Sequence, residues 1–288
     1  MAIEDKVVIT AALTGVAANR DQCQWIPYTP QEIADEALHA YNAGASVVHI
    51  HAREYDGTPS WRVEIFREIM EEVRKRCPII INFSTGAVGI DREDRIAHIR
   101  ELKPEIAALN MGTMNYAKYS RKRKDFVFSV VFQNPFEDIM FFLDAMNKNG
   151  VKPECECFDL GHLESIFPLM DMGLLKHFQI SLIMGVVGGQ GATARNLAHS
   201  ASLVPPGIAW EEIGIGQDQW LLVATALALG GNVRVGLEDN FYLSPGVVAE
   251  GNGPLVEKAV RMSRDIGREP ATVEEARAIL GVREMGSS

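Results

Sequence analysis

The chain has 288 residues, of which 47% are hydrophobic and 23% charged, a composition typical of a globular protein with a large core. The formal net charge of −10 argues against a protein that binds nucleic acid, because such proteins carry a basic face. No apolar run approaches the ~20 residues of a membrane-spanning helix, and MAIEDKVVIT lacks the layout of a signal peptide. We therefore expect a cytoplasmic protein with neither a nucleic-acid nor a membrane partner.

Short β-branched runs alternate with helical patterns along the chain. The candidate strands are VVITAAL (7–13), SVVHIH (46–51), PIIINFS (78–84), EIAALN (105–110), ECECFD (154–159), FQISLIM (178–184), WEEIGIG (210–216) and VRVGLED (233–239). Candidate helices with clear start and stop signals are 29–44, 91–104, 135–150 and 218–231. Eight strands, each followed by a helix, predict an α/β fold of the TIM (β/α)8 barrel type, with a doubly wound open sheet as the alternative.

The chain shows no linker, composition shift or low-complexity tract, which predicts a single domain over 1–288. A ninth strand-like run, FVFSVVF (126–132), predicts an excursion from the barrel after the fourth strand, at about 114–134. The basic cluster YSRKRKDF (119–126) in this segment is interpreted as a solvated loop.

Cys155 and Cys157 form a Cys-x-Cys pair in the fifth candidate strand. Four cysteines in a chain of this length do not indicate a disulfide framework. Strand alternation places both thiols on one face, where they either bind a metal or pack in the core. Without a second Cys or His pair nearby, packing is favoured, since free cysteine is among the most buried residue types.

Polar residues follow the candidate strands at the end where a TIM barrel carries its active site. His49 and His51 end the second strand and share one face of it, while Glu238 and Asp239 end the eighth. In a closed barrel, strand eight pairs with strand one, and strand one with strand two. Two imidazoles and one carboxylate can then meet as an open, catalytic metal site, for which zinc is favoured and Fe(II), Mn and Co remain alternatives.

Seven segments form a more specific pattern: VITAALTG, VVHIHAREYDGTPSW, NFSTG, LNMGTMNY, FDLGHL, GVVGGQGAT and VRVGLEDNFYL. Together they resemble the β-keto acid cleavage enzyme family, whose founding activity is 3-keto-5-aminohexanoate cleavage, and the resemblance covers essentially the whole chain. It implies a zinc-dependent TIM barrel that condenses a β-keto acid with acetyl-CoA to give acetoacetate and a new acyl-CoA. The implied steps are carbanion addition to the thioester, CoA transfer and retro-Claisen cleavage. It also implies a homotetramer.

The same resemblance assigns roles to five residues. His49, His51 and Glu238 are implied as the ligands of one zinc ion per chain. Asp239 is implied as the base that removes a proton from the carbon between the carbonyl and the carboxylate, and Arg234 as the cation that holds it. In a strand, Arg234 and Glu238 share a face, whereas Asp239 faces the opposite way unless the strand end frays.

Four further residues are candidate substrate contacts. Ser84 resembles the family serine that contacts the substrate carboxylate, with Gly86 supplying a backbone N–H. Asn110 and Thr113 lie at the carboxyl end of the fourth candidate strand and are additional candidates. The Gly-rich segment 185–193 opens a helical pattern and could hold an anion through its N–H groups.

The sequence departs from the family pattern at Ala17, where the lysine-fermentation enzyme has a Glu that receives the substrate ammonium. Burying an ammonium without a carboxylate is costly, so a substrate with a free 5-amino group is not expected. Asn19, Arg20, Trp25 and Tyr28 could line a neutral, hydroxylated or quaternary-ammonium pocket, and a neutral short-chain β-keto acid is favoured. The alternative function is a metal-dependent aldolase or hydrolase on the same barrel, acting without CoA.

Overall fold

The structure is a computed structural model that describes residues 5–282 of the chain. Its strands are β1 (Lys6–Val7), β2 (Ile9–Ala12), β3 (Val47–Ile50), β4 (Ile80–Phe83), β5 (Ile106–Asn110), β6 (Met114–Ser120), β7 (Asp125–Phe132), β8 (Lys152–Cys157), β9 (Gln179–Met184), β10 (Trp210–Gly214), β11 (Asn232–Val235), β12 (Tyr242–Ser244), β13 (Val247–Val248) and β14 (Glu269–Pro270). Its helices are α1 (Pro30–Ala43), α2 (Val63–Arg76), α3 (Arg92–Leu102), α4 (Phe136–Asn149), α5 (Leu160–Glu164), α6 (Ile166–Asp171), α7 (Ala194–Ser202), α8 (Gln219–Ala228), α9 (Asn252–Asp265) and α10 (Val273–Leu280).

Eight parallel strands close into a barrel in the order β2-β3-β4-β5-β8-β9-β10-β11. The barrel closes where β11 pairs with β2, with Arg234 opposite Thr10. Each barrel strand overlaps one of the eight candidate strands, and helices connect successive barrel strands. The predicted TIM (β/α)8 barrel is therefore confirmed, and the open-sheet alternative is excluded.

Helix α1 begins and ends as its sequence predicts. The Thr29 side chain accepts from the Glu32 N–H, the Glu32 side chain accepts from the Thr29 N–H, and Gly44 ends the helix in the left-handed conformation. Gly150 ends α4 in the same way. Within residues 5–282, no helix combines the length and the apolar character needed to cross a bilayer.

Strand β11 is shorter than predicted. It ends at Val235 because Gly236 has a φ of +143° and lies against the backbone of Ala12, where a Cβ would overlap the Ala12 carbonyl oxygen. The chain then turns over residues 236–239. The prediction of a strand over 233–239 is wrong in its last four residues, so Glu238 and Asp239 lie on a turn.

Strands β6 and β7 form an antiparallel hairpin between β5 and β8. It packs on the Gly-rich segment: the Ala117 N–H donates to the Val187 carbonyl at 3.2 Å, and a Cβ on Gly188 would overlap the Asn115 carbonyl. The hairpin occupies most of the segment 114–134. The single domain over 1–288 stays a prediction, since residues 1–4 and 283–288 lie outside the described part.

The side chains of β8 alternate between two environments. Cys155 and Cys157 pack in the hydrophobic core with free thiols, and burial raises the pKa of both. Neither belongs to a potential metal-ligand group among the described residues. The interpretation of these cysteines as packing residues is confirmed.

Candidate active site at the barrel mouth

A cavity of about 650 Å³ lies at the carboxyl ends of the barrel strands, beside the β6–β7 hairpin. Its wall is largely apolar and aromatic, its acidic groups come from β8 and the turn after β11, and its cations are Arg234 of the barrel and Lys118 of the hairpin. Seven of the nine predicted site residues line it: His51, Ser84, Gly86, Asn110, Arg234, Glu238 and Asp239. The size and the few convergent polar groups are typical of a small-molecule site.

The three predicted metal ligands meet beside this cavity. Oε1 of Glu238 lies 3.6 Å from Nε2 of His49 and 3.4 Å from Nε2 of His51. The potential ligand atoms of all three lie within 4.8 Å of one another. The Gly15 N–H donates to Oε2 of Glu238 at 3.1 Å, which leaves Oε1 facing the imidazoles. His49 is 1% exposed and lies beneath the cavity rather than in its wall.

The protonation states of these groups suit a metal. Burial lowers the pKa of His49 to about 3, which keeps its imidazole neutral, the form that binds a cation. Burial alone would raise the pKa of Glu238, but Arg234 and the two imidazoles hold it well below the usual range. Two imidazole nitrogens and one carboxylate oxygen fit a catalytic zinc ion with an open coordination position.

Arg234 binds both acidic residues of the turn after β11. Its Nε donates to Oδ2 of Asp239 at 2.9 Å, and its Nη2 donates to Oδ1 of Asp239 at 3.0 Å and to Oε1 of Glu238 at 2.7 Å. The two carboxylates share one guanidinium because they lie on a turn, which is the case of a frayed strand end that the sequence analysis named as the exception to strand alternation. Burial raises the pKa of Asp239 to about 6 against the opposing charge of Arg234.

Ser84, Gly86 and Asn110 form a polar corner of the cavity. A Cβ on Gly86 would lie 3.4 Å from Oγ of Ser84 and 3.5 Å from Nδ2 of Asn110. Nδ2 of Asn110 is buried and has no hydrogen-bond partner within residues 5–282. The Gly86 N–H donates to Oγ of Ser84 at 3.1 Å, so it is not the free donor that the sequence predicted.

Two other predicted groups have structural contacts instead. Thr113 is exposed and lies outside the cavity wall, and its hydroxyl accepts from the Asn134 N–H at 2.8 Å. In the Gly-rich segment, the N–H groups of Gly185, Gly189 and Gln190 donate to backbone carbonyls. This segment shapes the cavity wall, and these three amides are not available to an anion.

The model of the beta-keto acid cleavage enzyme family matches residues 6–282. The chain belongs to this family. It is 39% identical over 283 residues to a 3-keto-5-aminohexanoate cleavage enzyme from Fusobacterium nucleatum, covering 97% of this chain and 99% of the relative. An enzyme of the same name from Acetoanaerobium sticklandii is 41% identical over 283 residues, covering 96% and 99%.

A 3,5-dioxohexanoate:acetyl-CoA acetone transferase from Paraburkholderia graminis is 34% identical over 303 residues, covering 98% of both chains. Among solved structures, apo ObcA matches with a TM-score of 0.72 at 20% identity, over 90% of this chain and 66% of ObcA. This structural likeness to ObcA supports the barrel fold of the present chain. The family resemblance found in the sequence is confirmed.

Two glutamates in this family member escaped the sequence analysis. Glu154 and Glu156 lie on the face of β8 opposite the two cysteines, and Oε1 of Glu156 is 3.8 Å from Nη1 of Arg234. Burial and the charge of Glu154 raise the pKa of Glu156 to about 8. His49, Glu154 and Glu156 form a second potential ligand group. In the strand segment ECEC, the same alternation that places both cysteines on one face places both glutamates on the other, facing the barrel interior.

A buried polar layer lies inside the barrel below the site. Oγ of Ser181 donates to Oε1 of Glu154 at 2.7 Å and is 3.1 Å from Oε1 of Glu211. Oγ1 of Thr10 donates to Oε2 of Glu211 at 2.8 Å, and Nδ2 of Asn82 donates to Glu154. Because these groups come from five different strands, the layer helps to hold the barrel floor in one arrangement.

Proposed function

We propose that the chain is a zinc-dependent enzyme that condenses a β-keto acid with acetyl-CoA to give acetoacetate and a new acyl-CoA. One observation carries the proposal. His49, His51 and Glu238 converge next to an Asp239 held by Arg234, at one cavity, in a member of the β-keto acid cleavage enzyme family. Relatives named as acetyl-CoA transferases support acetyl-CoA as the co-substrate.

His49, His51 and Glu238 would hold the zinc ion. Bound there, zinc would supply a Lewis acid that lowers the free energy of removing a proton between the carbonyl and carboxylate groups of the substrate. The donor set supports this assignment, because it combines neutral imidazole with an ionised carboxylate and leaves one side open to the cavity.

Asp239 would take that proton. Its position beside the cavity and its pKa near neutrality suit a general base, and two hydrogen bonds from Arg234 orient its carboxylate. Nη1 of Arg234 and Nδ2 of Asn110 are buried donors without a hydrogen-bond partner among the described residues, and both residues line the cavity. These two donors would bind the carboxylate or carbonyl oxygen of the substrate.

The reaction balances without an oxidant or reductant. The carbanion of the β-keto acid forms a C–C bond to the acetyl carbonyl carbon of acetyl-CoA, and the CoA thiolate leaves. The thiolate then attacks the original keto carbon, and the bond from that carbon to the α carbon breaks. The α carbon takes back the proton from Asp239 and leaves as acetoacetate, while the new acyl group leaves as acyl-CoA.

A panel of β-keto acids, incubated with the zinc-loaded protein and acetyl-CoA, tests the proposal. We expect acetoacetate and a new acyl-CoA in equal amounts by mass spectrometry, with neither formed when acetyl-CoA is omitted. Equal consumption of the β-keto acid with and without acetyl-CoA would instead identify an aldolase or hydrolase.

We also infer a homotetramer in the cytoplasm. The tetramer is supported by the family resemblance, and the location is the expectation drawn in the sequence analysis. Light scattering of the purified protein measures its oligomeric state, and fractionation of the source cells determines its location.

We expect the enzyme to prefer neutral β-keto acids to 3-keto-5-aminohexanoate. Ala17 lines the cavity, and the acidic residues of the described cavity wall are Glu156, Glu238 and Asp239, all close to Arg234. An ammonium near Ala17 therefore lacks a carboxylate of its own. One charge-assisted contact contributes roughly 1.5–3 kcal/mol, which corresponds to about one to two powers of ten in kcat/KM.

The variant Ala17→Glu should shift the ratio of kcat/KM toward the amino substrate by about that factor. Ala17→Gln is the matched control, because it has nearly the same size without the charge and should not produce the shift. Two relatives are named 3-keto-5-aminohexanoate cleavage enzyme, so a preference for neutral substrates would distinguish this chain from the activity in their names. A wild-type preference for the amino substrate would contradict the selectivity prediction and leave the zinc site untouched.

A further inference from the structure

We propose that the β6–β7 hairpin is the CoA-binding arm of the enzyme, with its basic tip binding the phosphates and its aromatic side chains contacting the rest of the cofactor. The inference rests on the proposed function, because it assumes acetyl-CoA as the co-substrate. It gives a role to the basic cluster 119–126, which the sequence analysis interpreted as a solvated loop.

One face of the hairpin forms part of the cavity wall. Tyr116, Lys118, Tyr119, Phe128 and Phe132 all line the cavity. Lys118 pairs with Phe128 across the hairpin, and the rings of Tyr116 and Phe128 stack at 5.8 Å between centroids. A ligand in the cavity can therefore extend from the barrel floor along this face toward the tip.

Four consecutive cations occupy the tip: Arg121, Lys122, Arg123 and Lys124. All four are exposed, and none of them forms an ion pair with another residue in the range 5–282. Some exposed cations elsewhere, such as Lys148 and Arg264, are paired with carboxylates, and unpaired ones in the described part of the chain, such as Lys176, stand singly rather than in a run of four. Four unpaired cations at one point of a chain with a net charge of −10 favour an anionic ligand.

The tip also has a defined conformation and position. The Arg123 N–H donates to Oγ of Ser120 at 3.2 Å, and Lys124 has a φ of +53°. The hairpin is held on the Gly-rich segment by the hydrogen bond between Ala117 and Val187. The cations are thus presented at a set distance from the catalytic groups.

The length and composition of the hairpin match those of acetyl-CoA. The seven residues of β6 span roughly 20 Å at about 3.3 Å per residue, so the tip lies far from the barrel floor. Acetyl-CoA likewise separates its thioester from its phosphates by a long uncharged pantetheine chain. Tyr119 and Phe126, which are 44% and 52% exposed beside the cations, offer aromatic faces on which an adenine base can stack.

A tip variant with Arg121→Gln, Lys122→Gln, Arg123→Gln and Lys124→Gln tests the proposal. The control variant carries Lys75→Gln, Lys148→Gln, Lys176→Gln and Arg264→Gln, so it also loses four positive charges. These four residues are exposed and lie at or after the carboxyl ends of helices, at the end of the barrel opposite its mouth. Calorimetric titration with CoA itself gives the dissociation constant of each protein. Steady-state kinetics gives KM separately for acetyl-CoA and for the β-keto acid.

We expect the tip variant to raise both the dissociation constant of CoA and the KM for acetyl-CoA by about tenfold or more, while the KM for the β-keto acid stays unchanged. The control variant should bind CoA as the wild type does. Replacing CoA by 3′-dephospho-CoA should weaken binding to the wild type more than to the tip variant. Added salt should likewise weaken CoA binding to the wild type more than to the tip variant, because salt screens the attraction between exposed charges.

An unchanged affinity of the tip variant for CoA would overturn the proposal, and so would a wild type that does not bind CoA. A change in oligomeric state with unchanged CoA affinity would assign the tip to a contact between copies of the chain. Tip-dependent CoA binding without any acyl transfer would refute the proposed reaction and support the hairpin as the CoA-binding arm.

Discussion

Replacing His51 by Ala should remove most of the bound zinc and lower acetoacetate formation by more than about a hundredfold. The physical reason is that His51 offers one of the three convergent potential ligand atoms, and a cation held by only His49 and Glu238 would be bound much more weakly. The measurement is the zinc content of the dialysed protein by mass spectrometry, together with its steady-state rate. His49→Ala should have the same two effects.

His39→Ala is the matched control, since His39 is an exposed histidine that is paired with Glu36 and does not line the cavity. It should keep both zinc and activity. His51→Ala is the cleaner of the two test variants, because His51 lies at the cavity surface whereas His49 is fully enclosed and its removal leaves a void. A folded His51→Ala protein with its full zinc content would contradict the ligand assignment.

Asp239→Asn should leave the zinc content close to that of the wild type and abolish the enzyme-dependent exchange of the substrate α protons. The amide has nearly the same shape as the carboxylate but cannot accept the proton. Loss of a general base costs about two to four powers of ten in rate. Deuterium incorporation from heavy water, followed by NMR in the absence of acetyl-CoA, measures the exchange above the uncatalysed background.

Asp218→Asn provides the control for this substitution. Asp218 is exposed at the start of α8, outside the cavity wall, so its variant should exchange at the wild-type rate. If Asp239→Asn loses zinc together with exchange, Asp239 supports the metal rather than acting as a separate base. The two measurements therefore separate the roles of two adjacent acidic residues.

The parts of the fold that follow from local chemistry were predictable from the sequence. The capping box of Thr29 and Glu32 and the terminal Gly44 depend only on neighbouring residues. The structure shows both hydrogen bonds of the capping box and the left-handed Gly44 that ends the helix. The meeting of His49, His51 and Glu238 was also predictable, because a closed eight-stranded barrel pairs its last strand with its first, and the first pairs with the second. Their function as ligands stays a prediction.

Other features depend on contacts between distant segments. The early end of β11 follows from the close approach of Gly236 to Ala12, which no local pattern reveals. The Gly86 N–H donates to the Ser84 hydroxyl because the turn brings the two groups together. The sequence alone is equally compatible with a Gly86 N–H that is free to bind the substrate. The inward glutamates of β8 could have been predicted from the same strand alternation, since Glu154 and Glu156 alternate with the two cysteines.

The position of Glu238 has a consequence for how the molecule matures. The carboxylate lies just after the last barrel strand, and it contacts Gly15, which is 223 positions earlier in the chain. A nascent chain that has emerged only as far as β10 contains both imidazoles but lacks their third partner. The site comes into being when β11 docks between β10 and β2. A cation held by all three residues would link the last barrel strand to the second, and its binding would favour the fully assembled barrel by mass action.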